Sequence, residues 1–361
     1  TWEKVEHKNI GIDFGFFDNA LTGSFDVFQR DTRDMLGPSV ALADFFGAVA
    51  PETNNAEMRN RGWELTLQWR GKIGKDIDYS IGGSLSDATS EVTAYEGDGS
   101  DPANNWYKGK KVGEIWGYRA SGLIQTQEEA DEYNATYDLS YLSGQKWMPG
   151  DVKYINLDDN NKINNGTNTI GDMGDMTVIG NTTPRYQYTI NGSISWKGLS
   201  LSLMFQGVGK RDWCPAMNTS YFWGSGAYAQ VTVFKEHLDY WTPENPNAYY
   251  PNPYTAGNQA VGKFRAKTSQ KSDRYMQSAA YCRLKNLTIS YDLPKTWIEK
   301  IHLTKAQVFF SGENLLTFTK LSNIFDPEGL FTQNSYGNAL EQAGKNYPMT
   351  RVFSVGVILN M

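Results

Sequence analysis

The chain has 361 residues, with 34 Lys and Arg against 40 Asp and Glu, for a formal net charge of -6. That acidic balance excludes a nucleic-acid binder working through a basic footprint. A mean hydropathy of -0.53 and the lack of any run of about eighteen apolar residues exclude helices that span a bilayer, although strands that do so hide from hydropathy averages.

In chain order, the opening "TWEKVEHKNIGIDFGFF" has no Met and no signal peptide and begins almost directly on a strand, so the N-terminal part of the protein is expected elsewhere. Ile10, Ile12, Phe14 and Phe16 alternate with Gly11, Asp13 and Gly15, the period of two that sends successive side chains to opposite faces of a strand. The same parity returns in "GWELTLQWR" (Trp63, Leu65, Leu67, Trp69) and in "IDYSIGGSLS" (Ile77, Tyr79, Ile81, Leu85). "TQEE" then reads as a helix start, with Thr126 capping and Glu129 returning the bond. "NLDDNNKIN" spaces Asn156, Asp158 and Asn160 like positions one, three and five of a calcium loop. Only one of those three is a carboxylate, so an Asx-rich turn competes with bound calcium.

Further on, "RYQYTINGSISW" and "LSLSLMFQG" are two alternating segments joined by a bare "KG". The stretch from Gly207 to Ala280 follows, crowded with Trp213, Tyr221, Phe222, Trp223, Tyr228, Trp241, Tyr249, Tyr250 and Tyr254. Aromatic faces suit sugar stacking, peptide side chains and protein interfaces, and equally the packing of loops on one another. In "RLKNLTISYDLP" the apolar set is Leu287, Ile289, Tyr291 and Leu293, against Thr288, Ser290 and Asp292. "RVFSVGVILNM" ends the chain with Phe353, Val355, Val357, Leu359 and Met361 on one face.

About ten such segments, most near the ten residues that a tilted membrane strand needs, are separated by connections of two kinds. "FDNA", "RGKIGKD" and "KG" are short, whereas Arg30 to Gly62, Ala88 to Lys111, Gly207 to Ala280 and Thr317 to Thr350 are long and polar. Short turns at one end and long loops at the other describe an all-β transmembrane antiparallel barrel whose apolar face meets lipid and whose polar face meets a wet lumen. Trp63 and Trp69 sit where the two aromatic girdles of such a barrel belong. A secreted β-sandwich also alternates, so a soluble β-rich carbohydrate-binding protein without transport activity is the competing expectation. Extraction separates them: a barrel needs detergent and migrates in a heat-modifiable way.

Seven stretches then carry a resemblance in order along the chain: "VGEIWGYRASGLIQTQEEAD", "PGDVKYINLDDNNKI", "IGNTTPRYQYTINGSISWKGLSLSLMFQG", "WTPENP", "RLKNLTISYDLP", "SGENLLTFTKL" and "DPEG". From about residue 110 onward the chain resembles the C-terminal part of the SusC/RagA family of TonB-dependent outer-membrane transporters; residues 1–110 fit by strand pattern. The resemblance implies that residues 1–361 are the C-terminal part of a barrel of about 22 strands, with the plug and the first strands supplied by a missing N-terminal part. It also implies import of glycans or peptides across the outer membrane of a Gram-negative bacterium. The implied partners are a SusD-like surface lipoprotein, TonB with its inner-membrane energising complex, and oligosaccharide or oligopeptide cargo. The terminal Met361 stands where such barrels usually end in an aromatic residue.

Catalytic patterns are absent from the sequence. His7, His237 and His302 lie in separate segments without HExxH or a nucleophile elbow, and "GVGK" is too short for a phosphate loop. The adjacent pairs Glu128–Glu129 and Asp158–Asp159 point apart and read as solvated acids. No enzymatic activity and no cofactor are therefore expected, calcium excepted. Cys214 and Cys282 form neither a CxxC pair nor zinc spacing, and whether they are bonded is left open.

Overall fold

The structure, a computed structural model, describes residues 2–37, 47, 51, 53–142, 146–216, 219–224, 232–253, 267, 269–330 and 347–360. Nine of its strands form one antiparallel sheet: β1 (Lys4–Phe16), β2 (Leu21–Leu36), β3 (Asn54–Ile73), β4 (Ile77–Tyr95), β9 (Arg185–Trp196), β10 (Leu199–Lys210), β13 (Tyr281–Asp292), β14 (Lys305–Thr319) and β15 (Val352–Asn360). They pair in that order, each with its neighbour in the series. The intervening short strands pair among themselves: β5 (Glu114–Tyr118) with β8 (Met176–Asn181), β6 (Ala120–Leu123) with β7 (Val152–Tyr154), and β11 (Asp212–Trp213) with β12 (Gln277–Ser278).

The pairing register aligns the alternation of every strand with that of its neighbour. One rung runs Tyr79, Ile194, Leu201, Ile289, Phe310, Val355 across six strands. The rung beside it, one residue along each strand and so on the opposite face, is Ser80, Ser193, Ser202, Thr288, Ser311, Ser354. The hydroxyls of Ser80 and Ser193 lie 2.8 Å apart and those of Ser84 and Thr189 lie 2.7 Å apart. One face is thus continuously apolar and the other lined with small hydroxyls, as the repeated parity predicts. Ile289 remains 42% exposed and Val355 77% exposed, so the apolar face has no protein cover among the described residues.

The connections sort by length as expected. β1–β2, β3–β4 and β9–β10 turn through residues 17–20, 74–76 and 197–198, and β13–β14 through 293–304. All four lie at one end of the sheet, and the four long connections lie at the other. Lys197 and Gly198 both have positive φ, +48° and +88°, the backbone that a two-residue hairpin needs to match strand twist.

The strands outrun the boundaries drawn from polarity. The segments from Arg30 and Ala88 are not loop from their first residue: β2 continues to Leu36, β3 already begins at Asn54, and β4 continues to Tyr95. At about 3.4 Å per residue, the 20-residue β3 is twice what a tilted membrane strand needs. Charge pairs such as Arg59 with Asp31 hold the extension, their Nε–Oδ1 distance being 2.5 Å. A second departure is a bulge at Lys285. Met204 pairs with Asn286 but Phe205 pairs with Leu284, so Lys285 is an extra residue in β13. The bulge places Arg283 opposite Gln206, on the polar face, where unbroken alternation would have turned it to the apolar one.

Among the described residues β1 pairs only with β2 and β15 only with β14, leaving two open edges. Each edge presents a row of backbone N–H and C=O groups that no described strand pairs. The packed hydrophobic core lies elsewhere, in the long connections.

Candidate functional site

The long connections fold on one another into a loop core. The one between β4 and β9 contributes helix α1 (Gln127–Thr136), started as expected: the Thr126 hydroxyl accepts from the Glu129 N–H at 3.2 Å, and Glu129 returns to the Gln125 N–H at 2.7 Å. Tyr133 of α1 donates its hydroxyl to the Tyr154 carbonyl at 2.9 Å, locking the helix to β7. In the "PGDVKY" stretch Gly150 has φ +89°, and a Cβ there would come within 2.6 Å of Asn252 Cβ and of the Trp241 ring. Only glycine allows both that conformation and that approach. Asp151 is fully buried and takes the ammonium of Lys267, which also donates to the Lys146 carbonyl at 2.8 Å.

The connection between β10 and β13 supplies the aromatic centre. Phe222, fully buried, has ring centroids at 5.8 Å from Trp213, 4.7 Å from Trp223, 5.4 Å from Tyr250 and 6.0 Å from Tyr275. Phe325, from the connection after β14, packs its ring against Trp213 at a tilt of 54°, centroids 4.8 Å apart. The expectation that Trp213, Phe222 and Trp223 meet cargo or a lipoprotein is therefore corrected to a packing role: they are 8%, 0% and 4% exposed, because their rings serve as one another's apolar surroundings. Tyr221 is half-buried, its ring 5.6 Å from Phe234. Tyr228 and Tyr254 lie outside the described residues.

His237 ties this centre together. Its Nδ1 accepts from the Phe234 N–H at 3.1 Å, so the proton sits on Nε2, which faces the Tyr221 and Phe222 carbonyls at 3.0 Å each. Burial holds its pKa below the ordinary 6.5. A histidine pKa depressed by folding leaves its stabilisation intact above the unfolded value and removes it as pH falls through the folded one. Hydrogen exchange in residues 219–224 and 232–238 is accordingly expected to quicken, relative to the intrinsic rate, once pH drops below about 6.5. His237→Gln should abolish that dependence; an unchanged profile in the variant would show that another group is responsible.

The "DPEG" turn is pinned to the sheet by charge. Arg283, almost fully buried, holds Asp326 Oδ1 and Oδ2 at 2.9 and 2.8 Å, and Lys285 holds Glu328 at 2.7 Å. Arg211 adds a bond to the Pro327 carbonyl at 3.0 Å.

In the calcium-like loop the side-chain oxygens of Asp158 and Asn160 are engaged, whereas Asn156 Oδ1 is buried without a hydrogen-bond partner. Asp158 accepts from the Asn160 N–H at 3.2 Å and from its side-chain amide at 2.8 Å, and Asn160 accepts from the Lys162 N–H at 2.8 Å. Asp159 and Asn161 adopt φ of +56° and +58°. This is Asx-turn geometry, with Asn156 two residues before it. Among the described residues no three His, Cys, Asp or Glu side chains converge as a metal cluster. Cys214 and Cys282 are free thiols, and burial pushes the former up to about 11. The three histidines stay apart: His7 lies in β1, His237 in the loop core, and His302 in the 293–304 connection.

A family profile described as TonB dependent receptor-like, beta-barrel matches residues 1–315. TonB-dependent receptor P3 of Formosa agariphila is 29% identical across the whole chain, which spans 34% of that relative. TonB-dependent receptor SusC of Bacteroides thetaiotaomicron is 20% identical over 91% of the chain, corresponding to 30% of its own length. The chain thus spans about a third of the relatives it matches. Among solved structures, the RagAB peptide importer in its open-open state superposes with a TM-score of 0.71 at 22% identity, over 100% of this chain and 35% of that one. An apolar face in register across nine strands, sorted connections, and a profile match over most of its length place the chain in the TonB-dependent receptor β-barrel family.

Proposed function

We propose that the chain is the C-terminal part of the barrel of a SusC-like outer-membrane importer, taking up oligosaccharides or oligopeptides together with a SusD-like surface lipoprotein. TonB would energise it through the N-terminal plug-bearing part. The observation that carries this reading is the sheet itself: one face continuously apolar and uncovered, the other hydroxyl-lined, with the long connections gathered at one end into a packed body. A secreted carbohydrate binder would have to cover rungs such as Tyr79–Ile194–Leu201–Ile289. The relatives it matches, a SusC and a peptide importer, support transport of oligomeric nutrients. Of the rings expected to meet cargo or lipoprotein, Tyr221 is the described one that keeps partial exposure and is assigned that contact.

The test uses the full-length protein in its native host. It should pellet with outer membranes, require detergent, and migrate in a heat-modifiable way. Mass spectrometry of material copurified with the intact complex should find an oligosaccharide or oligopeptide. Recovery in the aqueous fraction after the membranes are pelleted would overturn the reading.

A further inference from the structure

The polar face of the nine-stranded sheet divides into two unlike sectors. β9 presents Gln187, Thr189, Asn191, Ser193 and Ser195 to it in succession, and none is charged. At about 3.4 Å per residue this run spans about 27 Å, enough to cross an apolar band about 25 Å tall. The flanking strands continue it, with Ser80, Gly82, Ser84 and Ser86 of β4 on one side and Ser200, Ser202, Met204 and Gln206 of β10 on the other. Asn286, Thr288 and Ser290 of β13 follow beyond β10. The hydroxyls of Ser195, Ser200, Ser202 and Ser290 meet no protein group among the described residues. At the end of the short turns, Ser80, Ser193 and Ser195 line an open recess of about 550 Å³.

Across the same depths the polar face of β1, β2 and β3 carries charge. Asp13 lies in the rung of Ser24 and Thr66, Asp26 stands directly opposite Glu64, and Arg70 pairs in register with Ser80. Arg30 follows nearer the long connections. None of these groups forms an ion pair among the described residues, where the Asp26 carboxylate takes only the Asn9 amide, at 3.2 Å. Two carboxylates directly opposed cost stability until a counter-charge reaches them, so this sector suits a resident charged neighbour. The sector of β4, β9, β10 and β13 suits a passing one. Each of its hydroxyls exchanges one hydrogen bond for another of nearly equal worth, and repeated weak contacts let a solute leave as easily as it enters.

We propose that cargo crosses the barrel along the wall of β4, β9, β10 and β13, while the wall of β1, β2 and β3 stays against the plug-bearing part. The passing segment is uncharged and rich in hydroxyls or amides, since a charged group that shed water there would find no counter-charge. The proposal rests on the reading that the polar face lines the lumen of an importer. Thr66 of β3 and Thr189 of β9 give a matched comparison, because both stand in the rung that runs through Ser84 and therefore at one depth.

The experiment uses the full-length transporter carrying Thr66→Cys, Thr189→Cys or Ser202→Cys. Host cells with and without TonB, supplied with their own nutrient, are exposed to a membrane-impermeant biotin maleimide, and the parent protein serves as control for its own thiols. Thr189→Cys and Ser202→Cys are expected to react about tenfold faster when TonB is present, as a water-filled path opens beside them. Thr66→Cys should react equally in both strains. Thr189→Arg should slow the growth that depends on this transporter, whereas Thr66→Arg should not, with both remaining heat-modifiable because the lumen tolerates arginine. Should either arginine variant fail to assemble, the cysteine labelling alone decides. TonB-dependent labelling that is equal at Thr66→Cys and Thr189→Cys, that is confined to Thr66→Cys, or that occurs at no position would each overturn the proposal. Equal growth of the two assembled arginine variants would do the same. Recovery of the parent protein in the aqueous fraction would instead overturn the importer reading, and the path with it.

Discussion

Phe222→Ala is expected to destabilise the loop core by about 3–5 kcal/mol, the usual cost of truncating a buried aromatic side chain to alanine. Its ring is fully buried and touches residues from distant parts of the connection, Trp213, Trp223, Tyr250 and Tyr275, with the Phe325 ring lying 6.5 Å away and nearly parallel. Removing it empties the point where those segments meet, so the loss falls on all of them together. Hydrogen exchange should accelerate by about a hundredfold or more in residues 211–216, 247–251 and 273–279, while β10 and β13 exchange as before, because local opening free energies differ between cooperative units. Phe222→Leu should recover much of the protection. Unaltered exchange in the alanine variant would show that the aromatic cluster does not hold the connections together. Trp223→Ala is expected to act in the same sense, since its indole N–H also donates to the Ala216 carbonyl at 2.8 Å.

The second large effect compares Ile289→Arg with Ser290→Arg. The two positions are adjacent, so depth in the bilayer is nearly matched and only the face differs. Ile289 stands between Leu201 and Phe310 on the apolar face, and Ser290 stands opposite Ser200 on the other. Arginine on a lipid face near the midplane costs about 2–4 kcal/mol, whereas a lumen position tolerates it. The fraction of full-length protein recovered from outer membranes as heat-modifiable barrel should therefore fall for Ile289→Arg and hold for Ser290→Arg. Equal recovery of both would mean that the two faces meet the same medium.

Much of the wall was legible because alternation is local: Leu287, Ile289 and Tyr291 declare a face within five residues, and each hairpin turn, such as Lys197–Gly198, lies inside a few more. The strand ends were not legible. Beyond the apolar band β2 and β3 continue as a ladder of charged residues in which Asp31 pairs with Arg59, and a charged strand exposed to water carries the same polarity as a loop. The bulge at Lys285 was hidden for a related reason, since an extra residue shows only against the register of β10.

The loop core was the least readable region. Trp213, Phe222 and Trp223 were recognisable as an aromatic concentration, but the same residue types serve ligand contact and packing, and which they do depends on what lies against them. The decisive neighbours come from far along the chain: Phe325 reaches Trp213 from beyond β14, and Lys267 meets Asp151 across a separation of 116 residues.

Local periodicity alone therefore determined that this protein is built of strands with one apolar and one polar face, and turn length alone determined that its connections differ at the two ends. Both are properties of a few consecutive residues and the pleat of the backbone. Only the tertiary structure decided that Arg283 belongs to the polar face, that Gly150 is required where Trp241 closes over it, and that the aromatics of the long connection are buried rather than presented. Burial is set by segments that are distant in sequence, and no pattern within a single stretch encodes which of them will arrive.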